Sequence, residues 1–267
     1  QSLHYKSFSV YTEEIIGETN NKLEKFSMYQ DFTSSGVGIN FKAGFIYRPI
    51  PVLRLGFAIH TPTYYDLDAY ANNNVSAKFT ELPVEDAKPT EKFEYGESAW
   101  TDYSYKLKTP WRLMASAATV LGQRAIISFD YEYVDYTTAK YSNDGAKNEY
   151  LETNNAIKAI YKSTHNFRAG AEYRFNSVFC LRGGYAYSAS PYTKGEMNEK
   201  NDIQTITGGL GLNFGVFYAD LAYLHKNSKL NGLFYYYETS KGEVIESPEF
   251  QTKFKDNEFR LTLGIRF

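Results

Sequence analysis

The chain has 267 residues, with 29 Lys and Arg against 31 Asp and Glu; a net charge of −2 provides no basic field for a phosphate backbone, which excludes nucleic acid as a partner. It contains 25 Tyr and 19 Phe against 3 Met, yet no run of about 18 apolar residues, which excludes a helical membrane protein. Its single cysteine, Cys180, allows neither an intramolecular disulfide nor a two-cysteine metal clamp.

In chain order, a first pair of strands is predicted over 3–16 and 26–47. From Ile39 the alternation is strict: Ile39, Phe41, Ala43, Phe45 and Tyr47 face one way, Asn40, Lys42, Gly44 and Arg48 the other. After the break Arg48-Pro49-Ile50-Pro51, Leu53, Leu55, Phe57 and Ile59 alternate with Arg54, Gly56, Ala58 and His60. Trp111, Leu113, Ala115 and Ala117 oppose Arg112 and Ser116, and past Leu121-Gly122-Gln123-Arg124 the residues Ile127, Phe129, Tyr131 and Tyr133 oppose Ser128, Asp130 and Glu132. Phe167, Ala169, Ala171 and Tyr173 oppose Arg168, Gly170, Glu172 and Arg174; beyond Phe175-Asn176-Ser177, Phe179, Leu181, Tyr185 and Tyr187 oppose Arg182, Gly184 and Ala186. Ile206, Leu210, Leu212 and Phe214 oppose Thr205, Thr207, Gly209 and Asn213, and after Gly215 the residues Phe217, Ala219, Leu221 and Tyr223 oppose Tyr218, Asp220 and Ala222. The last strand, Phe259 to Phe267, follows the same rule with the greatest regularity.

The breaks carry tight-turn chemistry, whereas the stretches 65–100, 138–158, 190–202 and 227–254 are polar and read as long loops. Short turns at one end and long loops at the other are the asymmetry of an outer-membrane barrel, the short side being periplasmic. A soluble sandwich also alternates apolar and polar residues. It does not need strands of the 9 to 11 residues that a tilted crossing requires, nor a tyrosine excess, which suits a girdle at the headgroup level. The reading is one domain, all-β, an antiparallel transmembrane β-barrel with about ten strands in this chain, placed in the outer membrane of a Gram-negative bacterium.

On that reading Phe217, Leu221, Leu261, Leu263, Ile265 and Phe267 meet lipid. Arg54, Arg112, Arg168, Arg174, Arg182, Arg260 and Arg266 share the lumen with Asp130, Glu132, Glu172, Asp220 and Glu258. Arg182 and Glu172 stand at similar heights above the Asn176 turn, where a cross-strand pair fits. Such charges either hold the wall together and anchor a plug, or line a wet path through it. His60, His165 and His225 lie near strand ends, but no Ser, His and acid combination has a recognisable spacing, so an enzyme is not expected. His4, His60, His165 and His225 are too scattered for a metal or haem site, and no cofactor is expected. The run Asn231-Gly232-Leu233-Phe234-Tyr235-Tyr236-Tyr237 is an aromatic cluster suited to extending a strand above the membrane or meeting an apolar substrate.

The stretches Gly44–Pro49, Leu55–Tyr65 with Thr61-Pro62, Thr109-Pro110-Trp111-Arg112, Ile127–Tyr136 and Phe167–Arg174 resemble, in order, the C-terminal part of the FadL/TodX outer-membrane hydrophobic-compound transporters, in the form common in Bacteroidetes. The resemblance implies a monomeric barrel of about fourteen strands with an N-terminal hatch, passing long-chain fatty acids or aromatic hydrocarbons from outside. It also implies that the hatch and roughly four strands belong to sequence before Gln1, so that 1–267 is the C-terminal part of one barrel domain. No ligand residue is carried over. The partners it implies are outer-membrane lipid and a hydrophobic or fatty-acid substrate, taken up passively and released sideways. Two other readings are a structural platform for other outer-membrane proteins and, below it, a hydrolase at the rim using one of the three histidines.

Overall fold

The computed structural model describes residues 1–16, 23–79, 95–122, 124–145, 149–238 and 241–265; Arg266 and Phe267, read above as facing lumen and lipid, lie outside them. In chain order the strands are β1 (Ser2–Glu14), β2 (Leu23–Ile39), β3 (Lys42–Ile50), β4 (Leu53–His60), β5 (Tyr64–Phe79), β6 (Tyr95–Lys108), β7 (Arg112–Leu121) and β8 (Ala125–Asp135). There follow β9 (Lys140–Ser142), the helix α1 (Leu151–Ile160), β10 (Ser163–Arg174), β11 (Phe179–Ser188), β12 (Ile203–Asn213), β13 (Phe217–Leu233), β14 (Tyr236–Glu238), β15 (Val244–Glu246) and β16 (Glu249–Ile265). No described helix is long and apolar enough to cross a membrane.

The chain divides into two compact units. One holds residues 1–39, 64–108 and 141–150, the other 40–63, 109–140 and 151–267. In the second, nine strands form an antiparallel sheet in the order β16-β13-β12-β11-β10-β8-β7-β4-β3, and these are the nine strands with strict alternation. Its hairpins close at one end through short turns with local reasons to form. Gly122 and Gly215 take left-handed backbone, φ 59° and 85°, where a Cβ is disfavoured. The Asn176 side chain accepts from the amides of Val178 and Phe179, both at 2.8 Å. Connections at the other end are long.

The apolar side of this sheet is bare. Phe217, Leu221, Leu261, Leu263 and Ile265 are 46–72% exposed, and the register sets Leu221 opposite Leu261 and Ala219 opposite Leu263. On the polar side of the same two strands Tyr218 lies opposite Gly264, and a Cβ on Gly264 would collide with the Tyr218 ring.

In the first unit the sheet order is β1-β2-β5-β6-β9. Leu67, Ala69 and Tyr105 are buried there, and Leu3, Phe32, Tyr65, Leu107, Tyr141 and Tyr150 pack on them. Ser34 and Tyr105 share a buried hydrogen bond of 3.0 Å between their hydroxyls. In the stretch 65–100, expected to be a loop, residues 65–79 and 95–100 instead belong to β5 and β6, paired from Tyr64↔Lys108 to Ala77↔Tyr95, and 80–94 lie outside the described residues. Alternation missed them because Asp66, Asp68 and Asn72–Asn74 put polar groups on both faces, and ladder pairing to β2 supplies what the pattern lacks.

Three more expectations change. The run 26–47 is two strands in different sheets, because at Asn40 and Phe41 side chains replace the backbone ladder. Asn40 Nδ2 donates to Thr63 Oγ1 (2.8 Å) and the Phe41 amide to Thr61 Oγ1 (2.9 Å). Most of 227–254 is strand as well, since β13 and β16 stay in register from Phe217↔Ile265 to Leu233↔Glu249, leaving the β14–β15 hairpin between them. The stretch 138–158 contains β9 and most of α1.

Candidate functional site

Residues directly opposite in an antiparallel ladder share a face, so the register sorts the charges. Arg168 lies opposite Asp130 and Asp130 opposite Ser116; Glu172 lies opposite Arg182 and Asp220 opposite Thr262. Carried across the sheet, Arg54, Arg112, Arg168, Arg174, Arg182, Asp130, Glu132, Glu172, Asp220, Glu258 and Arg260 all fall on one face, opposite the bare apolar one.

Near the short turns these charges neutralise one another. Glu172 accepts from Arg174 Nε at 2.7 Å and Arg182 Nε at 2.8 Å, and Arg182 also donates to Asp220. The Glu172 side chain is 17% exposed, and the two arginines satisfy what its burial would otherwise cost. Arg260 bonds Glu258, its neighbour along the strand. Arg54 and Asp130 have no ion-pair partner among the described residues.

Further from the turns the arrangement loosens and cations exceed anions. Lys42, His60 and Arg112 stand in one row across β3, β4 and β7. Glu132 receives Arg112 at 3.6 Å, Arg168 at 3.5 Å and Asn166 Nδ2 at 3.5 Å, contacts too long to hold either guanidinium firmly. Beside them a cavity of about 660 Å³ is lined by Ile46, Met114, Ser116, Asp130, Glu132 and Arg168 among others. A second, of about 520 Å³, is lined by Phe45, Phe57, Ile59, Leu113 and Tyr131 from the apolar face. Gly44, Ala58, Ala115 and Met114 border both, as do the rings of Phe45, Phe57 and Tyr131, so the wall between the two hollows combines small residues and one flexible one with three aromatic rings.

Beyond the cavity, Val134 and Thr164 are buried to 2% exposure. Asn166 Oδ1 accepts the Ala189 amide at 3.1 Å, Ser190 Oγ donates to the Asn198 carbonyl at 2.7 Å, and Thr193 Oγ1 donates to the Ala159 carbonyl at 3.1 Å. The first and last of these bonds tie the connection 189–202 to β10 and α1, and the middle one folds it on itself. The rings of Tyr161 and Tyr192 meet at 5.1 Å, and burial first, then the hydrogen bond to Tyr161, pushes the Tyr192 phenol up to about 12.

The histidines do not assemble. His165 Nδ1 bonds the Tyr131 hydroxyl at 2.7 Å and His225 Nδ1 bonds Asn257 Oδ1 at 2.8 Å, neither partner an acid or a serine, and His60 lies in the row of Lys42 and Arg112. Among the described residues no group of three or more His, Cys, Asp or Glu is placed to hold a metal ion. Sequence reasoning named the Arg182–Glu172 pair but not the grouping of Lys42, His60, Arg112 and Arg168. Counting equal distances from the Pro51 turn would have put Lys42 beside His60.

A family model described as "Outer membrane protein transport protein (OMPP1/FadL/TodX)" matches residues 4–212. Among solved structures, the Pseudomonas putida toluene transporter TodX is 12% identical, with 100% of this chain and 70% of that one covered at a TM-score of 0.50. A Pseudomonas aeruginosa FadL homologue is 11% identical, with 97% and 77% covered at a TM-score of 0.48. No curated protein matches.

Proposed function

The chain belongs to the outer membrane protein transport family (OMPP1/FadL/TodX), an antiparallel transmembrane β-barrel family of the Gram-negative outer membrane that transports hydrophobic compounds, and from that premise we propose that it takes up long-chain fatty acids passively. On this reading 1–267 is the C-terminal part of the barrel domain, the polar face of the nine-stranded sheet lines the bore, and the apolar face meets hydrocarbon. The supporting observation is the pair of hollows on either side of one strip of wall, the inner one lined by Arg168, Asp130 and Glu132 with Arg112 reaching Glu132 beside it. A carboxylate head would compete with Glu132 for Arg112 and Arg168, which hold it only at 3.5–3.6 Å, while the acyl chain lies against Ile46 and Met114. Leaving sideways past Gly44 and Ala58 keeps the chain out of water, an advantage of about 0.8 kcal/mol per methylene.

The test is uptake of oleate and of an uncharged alkane by cells carrying the full protein. Arg112→Ala with Arg168→Ala should raise the half-saturating oleate concentration about tenfold or more, as expected for loss of a charge-assisted contact, and leave the alkane unaffected. Ala58→Trp should slow both. If neither compound's entry depends on the protein, the reading fails.

The platform reading has one observation in its favour, the Arg174–Glu172–Arg182–Asp220 ladder, which joins β10, β11 and β13 near the turns by ion pairs.

A further inference from the structure

Where β13 and β16 run past the aromatic pair Tyr223 and Phe259, whose rings meet at 4.9 Å, the apolar face changes character. Moving away from the short turns, the successive cross-strand pairs on that face are His225↔Asn257, Asn227↔Lys255, Lys229↔Lys253 and Asn231↔Gln251. Lys229, Lys253 and Lys255 are exposed, and none has an ion-pair partner among the described residues. Asp256 and Glu258 point the other way, where Asp256 meets Lys226 at 3.8 Å and Glu258 bonds Arg260; the one acid that β16 sets on the lysine face is Glu249, opposite Leu233 at the far end of the ladder. The adjoining strand adds only Gln204, opposite Asn227, and Ile206, opposite His225. Like charges set directly opposite repel, so Lys229 and Lys253 are an arrangement that an anion between them would relieve.

We propose that Lys229, Lys253 and Lys255 bind the phosphate groups of a lipid headgroup in the outer leaflet. This rests on the hydrocarbon-facing assignment of the apolar face. The ladder begins where that face passes its aromatic pair, the place at which Tyr and Phe mark the water interface. From Phe259 to Lys255 is four residues, roughly 13 Å along the strand, or roughly 9 Å of height at a tilt near 45°. Lysine stems reach back over part of that distance while keeping the ammonium in the polar layer. The occupant is a membrane lipid rather than a dissolved anion because the same two strands offer its acyl chains Leu221, Leu261 and Leu263 directly below. A phosphate with more than one negative charge suits paired ammonium groups better than a zwitterionic headgroup does.

The experiment uses the full protein in mild detergent, with diphosphorylated lipid A as the probe and native mass spectrometry as the readout. The triple variant Lys229→Gln, Lys253→Gln, Lys255→Gln should bind the probe about a hundredfold more weakly, each basic residue near a charged lipid surface being worth about a factor of five. The Lys→Arg triple variant should keep the affinity. Dephosphorylated lipid A should bind the native protein as weakly as the Gln variant binds the probe. Unchanged binding by the Gln variant would overturn the proposal, and so would displacement of the probe by millimolar inorganic phosphate, which would mark a site for free anions. Heat-modifiable migration in gels reports that each variant is folded. Quenching of a Leu261→Trp variant by bromine-labelled acyl chains separates two failures. Quenching together with unchanged probe binding removes only the headgroup site, whereas no quenching removes the hydrocarbon-facing assignment as well.

Discussion

Leu67 in the five-stranded sheet is 1% exposed, and Leu261 in the nine-stranded sheet is 67% exposed. Both lie on antiparallel strands that pair over many residues, yet the first sheet buries Leu67, Ala69 and Tyr105 with Tyr141 and Tyr150 packed on them, and the second leaves Phe217, Leu261 and Leu263 exposed. The smaller sheet also mixes its faces. Exposed Phe8 and Val10 share theirs with His4 and Lys6, and the register brings Asp31 opposite Phe8 and Asp68 opposite Ser35. A mixed face tolerates water; an unbroken apolar face needs another solvent. Strand pairing is thus common to both units, and what separates them is the medium each face is made to meet.

The largest effect that would break this contrast comes from charge. Leu261→Arg should cost about 2–4 kcal/mol of stability in bilayers, as arginine does on the lipid face of a barrel near the midplane, whereas Val10→Arg, at a position 57% exposed, should cost under about 0.5 kcal/mol. Urea titration of the folded band in lipid vesicles measures both, and equal costs would abolish the distinction.

Truncation should then reverse the ranking. Leu67→Ala should destabilise the five-stranded sheet by about 3 kcal/mol, since it opens a cavity among packed side chains, and hydrogen exchange in β2, β5 and β6 should accelerate. Leu261→Ala leaves no protein cavity, and its exchange pattern should remain close to that of the native chain.

The smallest effect lies in the connection beyond the polar face. Because the Tyr192 phenol is raised from its ordinary value of 10.0 to about 12, the folded form holds its proton more tightly than the unfolded chain does. Its contribution is complete below about pH 10 and fades as the pH climbs through about 12. Ultraviolet titration of tyrosinate should show one fewer late-ionising phenol in Tyr192→Phe than in the native chain.

Legibility followed the same divide. The nine strands of the large sheet could be read because each must show one unbroken apolar row, as Phe259 to Ile265 does, and a period of two sustained over that length fits a strand and no helix. The strands β5 and β6 had no such obligation. Asn72, Asn73 and Asn74 sit in ladder positions opposite Asp31, Gln30 and Tyr29, so partners rather than pattern make them strands. The Glu172–Arg182 pair could be found by counting from its turn. The cluster of Lys42, His60, Arg112 and Arg168 spans five adjacent strands, and its members converge only once four separate registers are known.

The tyrosine seated on Gly264 has a consequence for assembly. Its ring occupies the space that a side chain on residue 264 would take, so sliding β16 by two positions would drive the ring against Thr262, and sliding it by one would turn Arg260 toward the apolar face. The pair works as a key and notch: it tells the closing hairpin when it is correctly aligned, and it does so by steric refusal of the wrong alignments rather than by added attraction for the right one.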